Sequence, residues 1–360
     1  MMPNRTANSK HLLQWPQKGP VSLICDRKWH ETLDCISFTL ISEPQQSLFH
    51  FIPGQFVTLA IEIEGVTEYR AYSISSMPNQ PQLQLTVKRV KGGKVSNYLH
   101  DQLQVGDSVA VMPPAGQFHL QQPKGKRLLL LSAGCGITPV MSMARTLLAD
   151  TQDQTDIHFI HAATCAEHII YHQELKQMAD GHARFKLNIM LEDANQTEYV
   201  SGRLTQADLT RYSPDIHTRS VFLCGPVEFM RAMERHLQAL NVDMTHFYHE
   251  SFTPEQSFQA LQHEPEEHAS ALAKATVYVP DFAAQVQVST GSVLLDALER
   301  ANVPVIAACR SGICGSCKCK VTKGEYTRTS TQTLTEQELA DGYVLACSCQ
   351  IHSDTEVTLP

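Results

Sequence analysis

The feature that most constrains this chain is the crowding of its cysteines. Eleven are present, and six of them fall between Cys309 and Cys349. Cys309, Cys314 and Cys317 are spaced C-x4-C-x2-C, and Cys347 follows thirty positions after Cys317. A 2Fe-2S cluster needs four thiolates converging on two irons, and this pattern supplies three from one tight loop and a fourth from a distant segment. Gly312 and Gly315 let the loop amides approach the cluster sulfurs. A structural zinc site would show paired C-x2-C knuckles with His or Cys partners, and the loop holds a single pair. Spacing alone leaves the fourth ligand open, because Cys349 lies two residues beyond Cys347 on an expected strand and would face the same side.

Such crowding also argues against a disulfide framework, which belongs to short secreted chains without a core. This chain has 360 residues, 42% of them hydrophobic and 18% charged, enough for two or three domains with full cores. A formal charge of -8 and a pI near 6.1 lack the basic footprint that a phosphate backbone requires, which disfavours a nucleic-acid partner. The first twenty residues hold no apolar core of signal-peptide length and no later stretch reaches the roughly 18 apolar residues of a membrane span, so a reduced, cytoplasmic setting is expected.

Three rhythms follow one another along the chain. Residues near 21 to 112 hold short alternating runs such as QLQLTVKRV, which predict an antiparallel barrel or sandwich. Residues near 127 to 250 alternate strand-like RLLLLS, DIHFIHA, FKLNIML and VFLC with helical TPVMSMARTLLA, HIIYHQELKQMA and VEFMRAMERHLQAL, which predicts a doubly wound parallel sheet. Residues 253–272 carry four Glu and no Lys or Arg and read as a linker. The expected domains are therefore 18–124, 125–252 and, beyond the linker, 273–360, where two strand-like runs precede a helix with Ser292 as its expected N-cap.

Two sets of residues suit a dinucleotide and a flavin. Arg70-Ala71-Tyr72-Ser73 ends a strand after the turn Pro53-Gly54-Gln55-Phe56, and Gly93-Lys94-Val95-Ser96 opens a short helix. An arginine forks onto pyrophosphate oxygens, a helix N-terminus offers free amides, and Tyr72 and Ser73 can meet the flavin ring. A pyrophosphate would engage both Arg70 and the Gly93 turn, which favours FAD over FMN. Gly134-Cys135-Gly136-Ile137-Thr138-Pro139 follows an apolar strand and opens a helix, where glycines permit close passage of a dinucleotide, although the third Gly of the usual fingerprint is missing. Residues 161–172 hold no Lys or Arg to meet a 2′-phosphate, which favours NADH over NADPH. His168 and His172 share a helical face but lack an evident third metal ligand.

Read together as RxYS, GxxS, GxGxTP and Cys224-Gly225-Pro226, these motifs resemble, in order, the ferredoxin-NADP reductase superfamily over residues 20–252. The resemblance implies that Thr138 and Cys224 flank the nicotinamide. It also implies that Glu250-Ser251-Phe252 brings an aromatic ring to the flavin, so that Ser73, Thr138, Cys224, Glu250 and Phe252 form the catalytic set. CRSGICGSCKCKV with GYVLACSC resembles the plant-type ferredoxins, a β-grasp fold in which the cysteine after GYVL-A is the ligand. That likeness favours Cys347 and leaves Cys319 and Cys349 as accessory thiols.

A nicotinamide delivers two electrons as hydride, a 2Fe-2S cluster takes one, and a flavin converts between them. The domain order thus implies electron flow from NADH to FAD to 2Fe-2S to an external protein. GCGITPVMSM, NVPVIAACRSGICGSCKCKV, GEYT and GYVLACSCQ make the whole chain similar to the bacterial NADH oxidoreductases that serve the hybrid-cluster protein, which implies that iron-sulfur protein as the acceptor. The architecture is also similar to reductase components of aromatic-ring oxygenases and demethylases. A redox sensor without turnover is a different class of reading, and a full nicotinamide site argues against it.

Overall fold

The computed structural model describes residues 11–16, 19–43, 47–121, 123, 125–195, 197–252, 274–306, 312, 315–331 and 333–359. The chain divides into two compact units, Met1–Glu68 with Tyr72–Glu250, and Ser251–Pro360 with Tyr69–Ala71. The expected linker 253–272 lies outside the described residues. No helix among those described is long and apolar enough to cross a membrane.

The first unit opens with β1 (Val21–His30), β2 (Cys35–Ile41), β3 (Phe56–Ile63), β4 (Val66–Ser73), β5 (Leu83–Lys88), α1 (Lys94–Asp101) and β6 (Ser108–Val111). These strands form one sheet in the order β4-β3-β6-β1-β2-β5. A bridge between Ile74, just past β4, and Leu85 on β5 joins the two edges, so the sheet curls into a barrel. Alternation drives this: Leu83 and Leu85 are buried in a core with Phe38, Leu40, Val57 and Leu59, while Gln84 between them stays half-buried.

The nucleotide lobe of the same unit alternates β7 (Arg127–Ala133), α2 (Ile137–Ala149), β8 (Asp156–Ala163), α3 (His172–Gly181), β9 (Phe185–Leu191), β10 (Val200–Ser201), α4 (Gln206–Tyr212), β11 (Ser220–Cys224), α5 (Val227–Ala239) and β12 (Phe247–Glu250). The strands are parallel in the order β10-β9-β8-β7-β11-β12. Strand order reverses beside β7, so a crevice opens at the carboxyl ends of β7 and β11, the usual ligand position of such sheets. Two buried cores cover its faces, one under α2 and α3, the other under α4 and α5. The expected helix HIIYHQELKQMA starts late: Ile169 and Ile170 precede it, and α3 begins at His172 after Tyr171 turns into the left-handed region at φ 59°.

In the second unit, β13 (Lys274–Val279), β14 (Ala284–Ser289), α6 (Leu294–Arg300), β15 (Lys318–Lys323), β16 (Tyr326–Arg328), α7 (Glu336–Ala340), β17 (Tyr343–Leu345), β18 (Cys349–Ile351) and β19 (Thr355–Thr358) follow. A mixed sheet β14-β13-β19-β15-β17 grasps α6, whose Leu294, Leu295, Ala297 and Leu298 are buried against it. The expected cap is off by one: Val293, not Ser292, occupies the N-cap position of α6 and makes no side-chain cap bond, while Ser292 belongs to the preceding turn, its amide donating to the Ser289 carbonyl.

Candidate functional site

Two loops meet at the switch point, one from β7 and one from β11. Ala133 ends β7 and the chain turns through Gly134 and Gly136 into α2, where Thr138 Oγ1 donates to the Cys135 carbonyl at 3.1 Å and Pro139 takes an early helical position. The turn can sit this close to β11 only because Gly136 has no side chain: a Cβ there would lie 2.3 Å from the Cys224 carbonyl oxygen. Gly225 is crowded in the same way by Phe229 and Ala133, and Pro226 caps α5.

Register across the sheet lines up a polar row at its carboxyl edge. His161 pairs with Ser132, Ser132 with Cys224, and Cys224 with Glu250. All four side chains are buried. His161 Nδ1 bonds the Ser132 hydroxyl at 2.8 Å, and at the other end Glu250 Oε2 accepts from Ser73 Oγ at 3.3 Å. Burial pushes the Cys224 thiol well above its usual range, with the Glu250 carboxylate adding to the shift, so Cys224 is a neutral S–H. Burial pushes His161 down to about 3, so its ring is neutral as well. Sequence motifs missed Ser132 and His161, because neither belongs to a fingerprint and only the register reveals them.

On the flavin side, Ser73 is buried at the end of β4 and Tyr72 packs on the barrel core. Arg70 Nη1 donates to the Tyr69 carbonyl at 2.6 Å, and Ala71 is half-buried. Gly93 caps α1 without a side-chain bond, which leaves the first helical amides to a ligand. Lys94 pairs with Glu68 at 2.9 Å, Val95 is buried, and Ser96 Oγ accepts from the Val90 amide. Phe252 is 48% exposed. These residues fit a flavin nucleotide: a helix N-terminus for phosphate, and a hydroxyl held on a carboxylate beside the barrel.

In the second unit the cysteine loop returns to Cys347. Cys309 and Cys314 lie outside the described residues. Cys317 Sγ is 3.2 Å from Cys347 Sγ, and the Gly312 amide donates to Cys347 Sγ at 3.1 Å. Gly312 has φ 73°, and a Cβ there would meet Ser330 and Ser348. Two sulfurs from distant segments, that close and receiving an amide, fit a pair of thiolates converging on an iron-sulfur cluster. Cys347 does not share a strand with Cys349 as the sequence implied. It sits in a tight turn, Ala346–Ser348, and β18 starts only at Cys349, which pairs with Arg328. Cys319 and Cys349 are fully buried, and burial pushes their thiols up, Cys349 to about 12.

The histidine pair has other duties. His168 Nδ1 bonds Thr164 Oγ1 at 2.6 Å and His172 Nε2 bonds the Tyr199 hydroxyl at 2.5 Å.

Comparison with known proteins matches three family models: an oxidoreductase FAD-binding domain over residues 24–120, an oxidoreductase NAD-binding domain over 130–235 and a 2Fe-2S iron-sulfur cluster binding domain over 279–352. The chain is 35% identical to the glycine betaine monooxygenase reductase subunit of Chromohalobacter salexigens, over 91% of this chain and 92% of the relative. It is 36% identical to the NADH oxidoreductase HCR of Escherichia coli, over 90% of this chain and 93% of the relative. The solved phthalate dioxygenase reductase shares the fold with a TM-score of 0.63 at 23% identity, covering 94% of this chain and 97% of that one.

Proposed function

Because the chain belongs to the oxidoreductases that join FAD-binding, NAD-binding and 2Fe-2S domains in one polypeptide, we propose that it passes electrons from NADH to the hybrid-cluster protein. The observation that carries the reductase reading is the Ser73–Glu250 bond, which joins the flavin strand to the row holding Cys224 at the nicotinamide edge. Bound FAD would supply the conversion between the two-electron hydride of NADH and the single electrons that a 2Fe-2S cluster carries.

Each residue has a part in that reading. Arg70 and the turn Gly93, Lys94, Val95 and Ser96 hold the pyrophosphate, Ala71 and Tyr72 line the flavin, and Ser73 bonds its ring. Gly134, Gly136, Thr138 and Pro139 seat the NADH backbone and nicotinamide from one side, and Cys224, Gly225 and Pro226 from the other. Cys224 meets the nicotinamide as a neutral thiol and adds no charge beside a carbon that must give up hydride. Glu250 orients Ser73, and Phe252 covers the flavin. Cys309, Cys314, Cys317 and Cys347 ligate the cluster. A reducing cytoplasm suits such a loop.

The similarity to the Chromohalobacter salexigens reductase subunit favours a second reading, in which the acceptor is the terminal component of an oxygenase or demethylase. Anaerobic NADH-driven reduction of each purified acceptor separates them. Fast reduction of the hybrid-cluster protein supports the first reading, and fast reduction of only the oxygenase component overturns it.

A further inference from the structure

One partly buried set of contacts fastens the nucleotide lobe to the barrel, and no sequence motif marks it. Its centre is Arg145 on α2. Arg145 Nε and Nη2 grip the two carboxylate oxygens of Glu174 on α3 at 2.8 and 2.6 Å, and its guanidinium lies 4.7 Å from the centre of the Tyr171 ring. The remaining nitrogen, Nη1, reaches out of the lobe and donates to the Ser75 carbonyl of the barrel. Ser142, three residues earlier on α2, donates to the neighbouring Ser76 carbonyl at 2.6 Å.

Tyr171 makes the second attachment. Its hydroxyl shares a hydrogen bond with Thr86 Oγ1 on β5, and Thr86 Oγ1 in turn is 2.6 Å from Ser37 Oγ on β2. Tyr171 is 4% exposed and holds a left-handed backbone, φ 59°, which a bulky residue adopts only when its surroundings impose it. Thr86 also meets the nicotinamide turn, since Cys135 Sγ approaches the Thr86 carbonyl at 3.7 Å.

The attachment points lie close to the proposed reacting groups. Ser75 and Ser76 follow Ser73 by two and three residues, and Ser142 is one helical turn beyond Thr138. A shift at the clasp therefore moves the flavin strand and the nicotinamide turn against each other. Hydride passes only between groups held in a narrow range of distance and angle, and a displacement of about 1 Å costs on the order of a hundredfold in rate.

We propose that Arg145 and Tyr171 are positioning residues for hydride transfer, which set the nicotinamide turn against the flavin strand through Ser75 and Thr86. This rests on the reading that NADH reduces a flavin bound at the barrel. The test uses the full-length holoprotein as wild type, Arg145→Met, Arg145→Lys and Tyr171→Phe. Flavin bleaching is followed after rapid anaerobic mixing with saturating NADH and with NADH deuterated at C4. Hydrogen exchange of the segment 74–88 is measured in parallel without NADH.

Expected are bleaching slowed by about tenfold or more in Arg145→Met and about threefold in Tyr171→Phe, with a larger isotope effect and an NADH KM within about twofold of wild type. Arg145→Lys should recover part of the loss, and exchange in 74–88 should rise in Tyr171→Phe. Variants that bleach at the wild-type rate with an unchanged isotope effect overturn the proposal, even if they melt earlier or exchange faster. Tyr171→Phe loses one hydroxyl and carries the test if Arg145→Met does not fold. A wild type that NADH fails to bleach would instead overturn the underlying reading.

Discussion

Ser73 Oγ donates to Glu250 Oε2 across 3.3 Å, joining the last residue of β4 to the last residue of β12 across 177 positions of sequence. Both side chains are 5% exposed, so the bond is screened little by water. It ties the serine of the flavin motif to the strand beside Cys224. Glu250→Gln keeps an acceptor oxygen and should slow flavin reduction by NADH only mildly. Glu250→Ala leaves Ser73 without it and should slow reduction by about tenfold to a hundredfold, roughly 1.4 to 2.7 kcal/mol of barrier. Rapid-mixing absorbance at saturating NADH measures this, and equal rates for wild type and Glu250→Ala would remove Glu250 from the site.

Gly136→Ala should damage the nicotinamide site selectively. The added methyl would lie 2.3 Å from the Cys224 carbonyl oxygen, so the turn or β11 must retreat. Overpacking of this kind costs about 1 to 3 kcal/mol. NADH titration of the variant should show weakened binding with FAD content unchanged, and normal NADH affinity would contradict the close packing.

Cys347→Ser should abolish the visible absorption of the 2Fe-2S cluster while Cys349→Ser keeps it. The reason is placement: Cys347 Sγ accepts the Gly312 amide and lies 3.2 Å from Cys317 Sγ, whereas Cys349 sits on a strand beside Arg328. FAD content and ferricyanide reduction should survive in both. The reverse pattern would reassign the ligand.

NADH should exceed NADPH in kcat/KM. The loop after β8 carries Glu167, exposed, and no cation, while nearby Lys176 is held by Glu198 at 2.9 Å. Equal or higher kcat/KM with NADPH would contradict this.

Two buried histidines should govern acid stability. Burial pushes His161 down to about 3; burial and, after it, the Arg219 guanidinium push His158 down to about 4. The unfolded chain protonates both near the ordinary histidine value, so below about pH 6.5 it binds protons that the folded chain refuses. Stability from these groups is whole above that pH and falls, by up to about 1.4 kcal/mol per pH unit for each, until the folded values are reached. Thermal unfolding from pH 7 to pH 4 should show this slope, and His161→Leu should flatten it by one proton. An unchanged slope in that variant would refute the assignment.

Much of this was legible in the chain. Alternation in QLQLTVKRV and the strand-helix rhythm after Arg127 correspond to the barrel and the parallel sheet, because each signal reports burial on one face. Motifs located the turns at Gly134 and Cys224, where Gly136 and Gly225 answer to local crowding and Gly134 to a left-handed φ of 51°. What escaped depends on contacts between distant segments. Ser132 and His161 join the row through register alone, and Arg145, Tyr171 and Thr86 meet across two lobes. Tyr171 also delays the start of the apparent helix to His172, its left-handed backbone and its bond to Thr86 overriding the helical pattern of His168 to Tyr171.

The relay is tested most directly by comparing electron exit at the flavin with electron exit through the cluster in the same protein. Wild type and Cys347→Ser, both loaded with FAD, are supplied with NADH and assayed with ferricyanide and with cytochrome c. Cys347→Ser should keep ferricyanide reduction and lose cytochrome c reduction if electrons leave through a cluster held by Cys309, Cys314, Cys317 and Cys347. Cytochrome c reduction by Cys347→Ser as fast as by wild type would make the flavin the exit and contradict the relay.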